Sequence, residues 1–445
     1  MFRMKSFKFP LLLVILFIIF ILLYLNYPRL NILAGYSAKN TASSVFVAGR
    51  TLAFTDSTDN DFSPINLTSD KVNSKEKSAS GSVLGLLTRK AIYRKGQGCV
   101  LISNDFNTQK TFLVPKRTRP NIRSSFPFGN KPQKDTIFKN INYQKLNSAI
   151  KSMFNPINKT RAVVVVYKNQ IIAEKYGPEF TKDSKILGWS MTKSITGTLF
   201  GILQCQGHLN VFDKAPISEW QNDDRKNISI HNLLQMNSGL EWEEDYNTIS
   251  DVTKMLFLEK DMTKVQINKP FVGKPNETWN YSSGTTNLLS GILRQQFDSH
   301  QEYLDFWYQA LIDKIGMNSM LVETDMNGNY VGSSYAWATP RDWAKLGLLY
   351  LNNGSWNGEQ LFDKDWVDYA TTPTPTSNGG YGAQIWLNAG NRYPDVHKDM
   401  YSFNGYQGQN VFILPEQEMV IVRMGLTKNA DINLFLKSII SVIKN

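Results

Sequence analysis

The longest unbroken apolar stretch of the chain, Leu11–Leu25, stands near its beginning, behind Arg3, Lys5 and Lys8, and the first acidic residue is Asp56. That charge asymmetry is the positive-inside pattern. Its 15 apolar residues are short for a spanning helix and within the range of a signal-peptide core. The best cleavage site, Ile32-Leu33-Ala34 before Gly35, is poor, so residues 9–27 read as an uncleaved anchor in the cytoplasmic membrane. The rest of the protein is then expected outside, periplasmic or extracellular. Val83–Tyr93 and Cys99–Ile102 read as strands around Lys95-Gly96-Gln97-Gly98. Residues 104–135 are basic, hold Pro115, Pro120, Pro127 and Pro132, and lack periodicity, as an extended connector would. Beyond them Leu146, Ile150 and Met153 recur at helical spacing, and Ala162–Tyr167 and Gln170–Tyr176 form a hairpin turning at Lys168-Asn169.

A helical middle follows, including Thr339-Pro340-Arg341-Asp342, where Thr can cap and Pro suits the first helical position of a helix running to Gly354. Strands return at Gly382–Leu387, Met400–Asn404, Gln409–Leu414 and Met419–Met424, and Ile432–Ile443 closes the chain as an apolar-striped helix. This order divides the chain into an anchor or signal segment (1–28), a small β-rich accessory region (29–103), a connector (104–135) and a large domain (136–445).

Composition narrows the class. With 42% hydrophobic and 20% charged residues in 445, the chain has material for a large core, which excludes disorder as its main state. Two cysteines and four scattered histidines exclude a disulfide scaffold and give no metal-ligand spacing, so neither metal nor organic cofactor is expected. Cys205, on an uncharged helix, reads as a small core residue, and Cys99 is left open. The net charge of +11 is concentrated in residues 1–135, which hold 20 Lys and Arg against 7 Asp and Glu, while residues 136–445 hold 29 against 31. A basic segment beside an apolar one suits anionic lipid better than nucleic acid. The expected partners are therefore a small-molecule substrate and membrane lipid, with no nucleic acid; the oligomeric state is open.

Ser190-Met191-Thr192-Lys193 spaces a hydroxyl and an amine so that both lie on one helix face. The same spacing begins at Ser74, Ser148 and Ser441, and context separates them. Ser74 lies in a polar stretch, Ser148 on an ordinary amphipathic helix and Ser441 within five residues of the terminus, whereas Lys193 heads an apolar helical stretch, Ser194–Gly207, with no charged residue, where a desolvated lysine could take a serine proton. Tyr281-Ser282-Ser283, before the apolar Asn287–Leu293, supplies a second proton carrier. Gly405-Tyr406-Gln407-Gly408-Gln409 opens a strand whose backbone N–H groups could hold an oxyanion.

In this order the three motifs resemble those of the β-lactamase/penicillin-binding-protein superfamily of serine hydrolases, over roughly residues 136–445. The likeness is greatest to class C β-lactamase-related proteins, esterases and 6-aminohexanoate-dimer hydrolases. His231–Leu240 and Ala338–Trp343 support it. The resemblance implies an α+β fold, an antiparallel sheet flanked by N- and C-terminal helices with an inserted helical subdomain. It implies Ser190 as nucleophile, Lys193 as base or relay, Tyr281 as base and acid, and the amides of Ser190 and Gln409 as the oxyanion hole. Ser283, Tyr406, Gln407 and Gly408 fall at substrate-binding positions, and Trp242 and Trp386 either line the acyl pocket or pack the core. Tyr406 stands where relatives carry a lysine, so the site is expected to lack a fixed cation for a substrate carboxylate. The implied activity is cleavage of a small ester or amide through an acyl-enzyme. Two alternatives are a β-lactamase or DD-peptidase, and a non-catalytic binding or sensor module of the same fold.

Overall fold

The computed structural model describes residues 8–107, 111–119, 123–129 and 131–444. Arg3 and Lys5 of the expected leader lie outside that range. Helix α1, Lys8–Phe46, changes character at Pro28. Leu12–Ile18 and Phe20 are exposed, whereas Ile32, Leu33, Ala34, Tyr36, Ala38 and Ala42 are buried. Among the described residues no helix is long and apolar enough to cross a membrane.

The buried half of α1 lies on a four-stranded antiparallel sheet of β1 (Thr68–Asn73), β2 (Ser78–Val83), β3 (Leu87–Arg94) and β4 (Gly98–Ile102). Helix and sheet meet at Gly81, where a Cβ would come 2.8 Å from the Ala34 carbonyl and 2.9 Å from the Ala38 amide. Only glycine opposite an alanine stripe permits that approach. The strand expected over Val83–Tyr93 is split, because the chain turns at Leu84 and Gly85, which have φ of 51° and 70°.

The large domain is built on a six-stranded antiparallel sheet. It holds β5 (Thr160–Tyr167), β6 (Gln170–Tyr176), β7 (Trp386–Leu387), β8 (Tyr401–Gly405), β9 (Gln409–Leu414) and β10 (Met419–Gly425), ordered β7-β8-β9-β10-β5-β6. The β5–β6 hairpin turns at Lys168 and Asn169 with φ of 48° and 61°, the double left-handed turn that matches strand twist. Every residue of β5 is buried, because both faces of the sheet are covered. Val163 and Val165 meet α2 (Tyr143–Met153) and α6 (Ile432–Ile440) through Leu146, Ile150, Leu436 and Ile439. Val164 and Val166 belong to the opposite core with Ile195 and Leu199 of α3 (Thr192–Cys205) and Leu346 of α5 (Pro340–Leu351). That alternation is the two-residue period of a strand. The strand expected at Gly382–Leu387 shortens to Trp386–Leu387.

Of the connector, whose Pro120 lies outside the described residues, 111–119 run over the helical part as irregular chain: the amides of Lys116 and Thr118 donate to Asp305 and Asp313, and Arg117 lies over Tyr308. Cys205 is exposed, contrary to its expected core position, because the helix ends there and turns at Gly207, φ 72°. Cys99 is buried and unpaired.

Candidate active site

Ser190 sits in a tight turn, Trp189–Met191, that leads directly into α3. Trp189 has φ 49°, a costly conformation for a bulky residue and one that clusters at functional sites. The turn is locked from below, since a Cβ on Gly188 would strike the Trp343 ring at 2.2 Å. It is locked from the side by Gly405, where a Cβ would come 2.1 Å from the Gly188 carbonyl. The third motif therefore lies against the first.

In the first turn of α3, the Lys193 Nζ is 3.0 Å from Ser190 Oγ, 2.9 Å from Ser283 Oγ and 3.0 Å from the Ser333 carbonyl. Lys193 is 2% exposed. Burial pulls its pKa down to about 8, opposed by the field of Glu244. An appreciable fraction is then free amine near neutral pH. Tyr281, whose ring centre is 4.8 Å from Nζ, is displaced the other way. Burial, then Glu244, raise its pKa well above the ordinary phenol value, opposed by a hydrogen bond with Ser190. Tyr281 is thus held as a protonated phenol, so Lys193 is the group in position to accept the Ser190 proton.

Ser283 is fully buried and does not line the substrate cavity. It heads α4, Ser283–Arg294, and its hydroxyl donates to Glu244 Oε1 at 2.5 Å while its amide donates to Oε2 at 2.9 Å. Trp242 is likewise behind the site, with Nε1 donating to Glu244 Oε2 at 2.5 Å. These two residues hold a carboxylate, not a substrate. Glu244 escapes the sequence motifs because it lies in an irregular loop, where one acid among Glu241, Glu243 and Asp245 carries no positional signal.

Above Ser190 opens a cavity of about 340 Å³. Ser190, Tyr281, Trp386, Tyr406 and Gly408 line it, while Lys193, Gln407 and Gln409 are not among its lining residues. Trp386 and Tyr281 pack with ring centres 5.1 Å apart. The Gln409 side chain clamps the hairpin, donating to the Gly425 carbonyl and accepting from its amide. Cations absent from the third motif arrive from elsewhere in the chain: Lys428 Nζ stands 5.1 Å from the Tyr406 ring centre, and the Arg392 guanidinium 5.5 Å from that of Trp386. Arg423 also borders the cavity, but its guanidinium is spent on the carbonyls of Gly408, Thr427 and Asn158. Among the described residues no group of three or more His, Cys, Asp or Glu could hold a metal ion.

The β-lactamase family matches residues 158–429, a span that holds all three motifs and all six strands of the large sheet. The chain belongs to that family. It is 23% identical over 307 residues to the 6-aminohexanoate-dimer hydrolase of Paenarthrobacter ureafaciens, covering 61% of this chain and 74% of that enzyme. Its fold matches a candidate 6-aminohexanoate-dimer hydrolase of Bacillus anthracis with a TM-score of 0.58 at 20% identity, over 74% of this chain and 90% of that one. It also matches a family VIII carboxylesterase with a TM-score of 0.52 at 12% identity, over 67% and 96% of the two chains. The β-lactamase/transpeptidase-like α+β fold expected from the motifs is thus the fold of this β-lactamase-family hydrolase.

Proposed function

We propose that the protein is a serine hydrolase that cleaves an ester or amide through an acyl-enzyme on Ser190. The carrying observation is the 3.0 Å approach of Lys193 Nζ to Ser190 Oγ at the base of a cavity of ligand size. Free-base Lys193 takes the Ser190 proton as Oγ attacks the acyl carbon. The amide of Ser190, at the head of α3 where the helix dipole favours negative charge, and that of Gln409 hold the oxyanion. Lys193 returns that proton through the Tyr281 hydroxyl to the leaving group; water then attacks the acyl carbon as Lys193 takes its proton, and that proton goes back to Ser190 Oγ as the acid leaves. Ser283 and Glu244 position Lys193 and tune its basicity.

The test is a fluorophosphonate probe on the full-length protein, read by intact mass and labelled peptide. One adduct on Ser190, absent in Ser190→Ala, is the expected result. Folded protein that takes no label would overturn the reading in favour of a pocket that only binds. Lys428 and Arg392 at the cavity mouth favour a second reading, in which a substrate carboxylate is bound there as in β-lactam or cell-wall peptide chemistry. Acylation of Ser190 by penicillin, weakened by Lys428→Ala, would identify that substrate class.

The exposed apolar face of α1 and the basic residues around it support location at a membrane surface, outside the cytoplasm. Flotation of the full-length protein with anionic vesicles, lost on deleting residues 1–27, is the expected outcome.

A further inference from the structure

A second cavity, of about 370 Å³, lies beside the first and is lined mainly by apolar atoms. It opens where α1 passes from its exposed half to its buried half. Arg29 stands at the rim, Ile32, Leu33 and Tyr36 form one wall, and Phe62 and Ile249 face them. Tyr246 and Tyr406 line both cavities. Their rings are stacked, centres 4.7 Å apart and 18° from parallel, so two half-buried side chains form a shared wall between the apolar cavity and the Ser190 cavity. Trp189 packs edge-on against both rings, with centres 6.1 and 5.5 Å away.

We propose that the second cavity receives the acyl chain of a long-chain ester or amide whose acyl carbon is held at Ser190, Tyr246 and Tyr406 swinging apart from their stacked position to let the chain through. The proposal rests on the hydrolase reading and names its substrate class. Two features of the molecule argue for this occupant. An apolar cavity beside a polar reacting centre matches an amphiphile. Its rim at Arg29 stands on the same helix, about 18 Å along from Phe17, as the exposed Leu12, Leu13, Val14, Ile15, Leu16 and Phe17, the kind of apolar surface that associates with lipid. In the reaction the acyl carbon bonds to Ser190 Oγ and its bond to the alkoxy oxygen breaks. The alcohol leaves with the serine proton, and one water molecule then regenerates Ser190 and frees the fatty acid.

The experiment compares full-length protein in detergent on p-nitrophenyl esters from acetate to dodecanoate. The expected kcat/KM rises at least tenfold along the series, and Ile249→Trp, at an exposed rim position, cuts the dodecanoate-to-acetate ratio about tenfold. Should Ile249→Trp fail to fold, Thr248→Trp replaces it, and calorimetric binding of dodecanoic acid to full-length Ser190→Ala gives the second readout; saturable binding is expected. Acetate turnover with a flat chain-length profile and no dodecanoic acid binding would overturn the acyl-chain site and leave the hydrolase intact. Failure to turn over or be labelled by any ester would remove the hydrolase reading, and this inference with it.

Discussion

Two buried lysines of this molecule meet opposite fates. Lys39, on the buried half of α1, places Nζ 2.6 Å from Glu323 Oε2 and 2.9 Å from Ser43 Oγ, beneath the Tyr335 ring. Glu323 accepts in turn from Ser43, the Cys99 amide and Trp337 Nε1. Every partner is a fixed protein group, so the pair clamps α1 and β4 to the large domain. At Lys193 the carboxylate stands one hydroxyl further off, with Ser283 between, and the amine faces Ser190 and a cavity. Lys39 is spent on fixed partners. At Lys193, with a hydroxyl inserted before the carboxylate, desolvation dominates and lowers the pKa.

Exchanging the properties of the two sites gives the sharpest tests. The largest expected effect is on Ser190→Ala, which should lose ester turnover by about 10⁴-fold or more, as removal of a nucleophile does. Lys193→Met and Tyr281→Phe should each cost about 10²–10⁴-fold in kcat, the usual worth of a general acid or base, while urea melts show a folded protein. Lys39→Met should do the reverse. It strands the Glu323 carboxylate and should cost about 3–5 kcal/mol of stability, with kcat per folded molecule retained. A Lys39→Met protein of full stability would show that the clamp carries no weight.

Smaller effects concern pH. Lys193 must be free amine to act, and its pKa is lowered to about 8, so kcat/KM should fall tenfold per unit below that pH and level off above it. Glu244 raises the Lys193 pKa, so Glu244→Gln should move this acid limb to lower pH. The same substitution puts a donor where Ser283 and Trp242 also donate, costing about 1–3 kcal/mol of stability. An unmoved limb would mean that Glu244 only braces the loop.

The sequence made some of this legible because local patterns carried it. The β5–β6 hairpin is written in five consecutive apolar residues, Ala162–Val166, with Lys168-Asn169 at its turn, and α5 in the Thr339-Pro340 cap. Ser190, Lys193 and Tyr281 announce themselves through motif spacing. What escaped depends on tertiary approach. The buried half of α1 is rich in small and polar residues, such as Ala34, Ala38 and Ser44, that read as no clear element until Gly81 is seen to receive them. Ser283 falls at a motif position, yet only packing shows that it faces Glu244 and not the cavity. Lys428 and Arg392 reach the cavity from segments outside the third motif, which linear spacing cannot reveal.

The most direct measurement is the pH dependence of the rate at which a fluorophosphonate labels Ser190 in the full-length protein. A rate that climbs tenfold per unit to a plateau near pH 8, and that collapses in Lys193→Met, is the expected result. A rate independent of pH from 6 to 9, or unchanged in Lys193→Met, would contradict activation of Ser190 by Lys193.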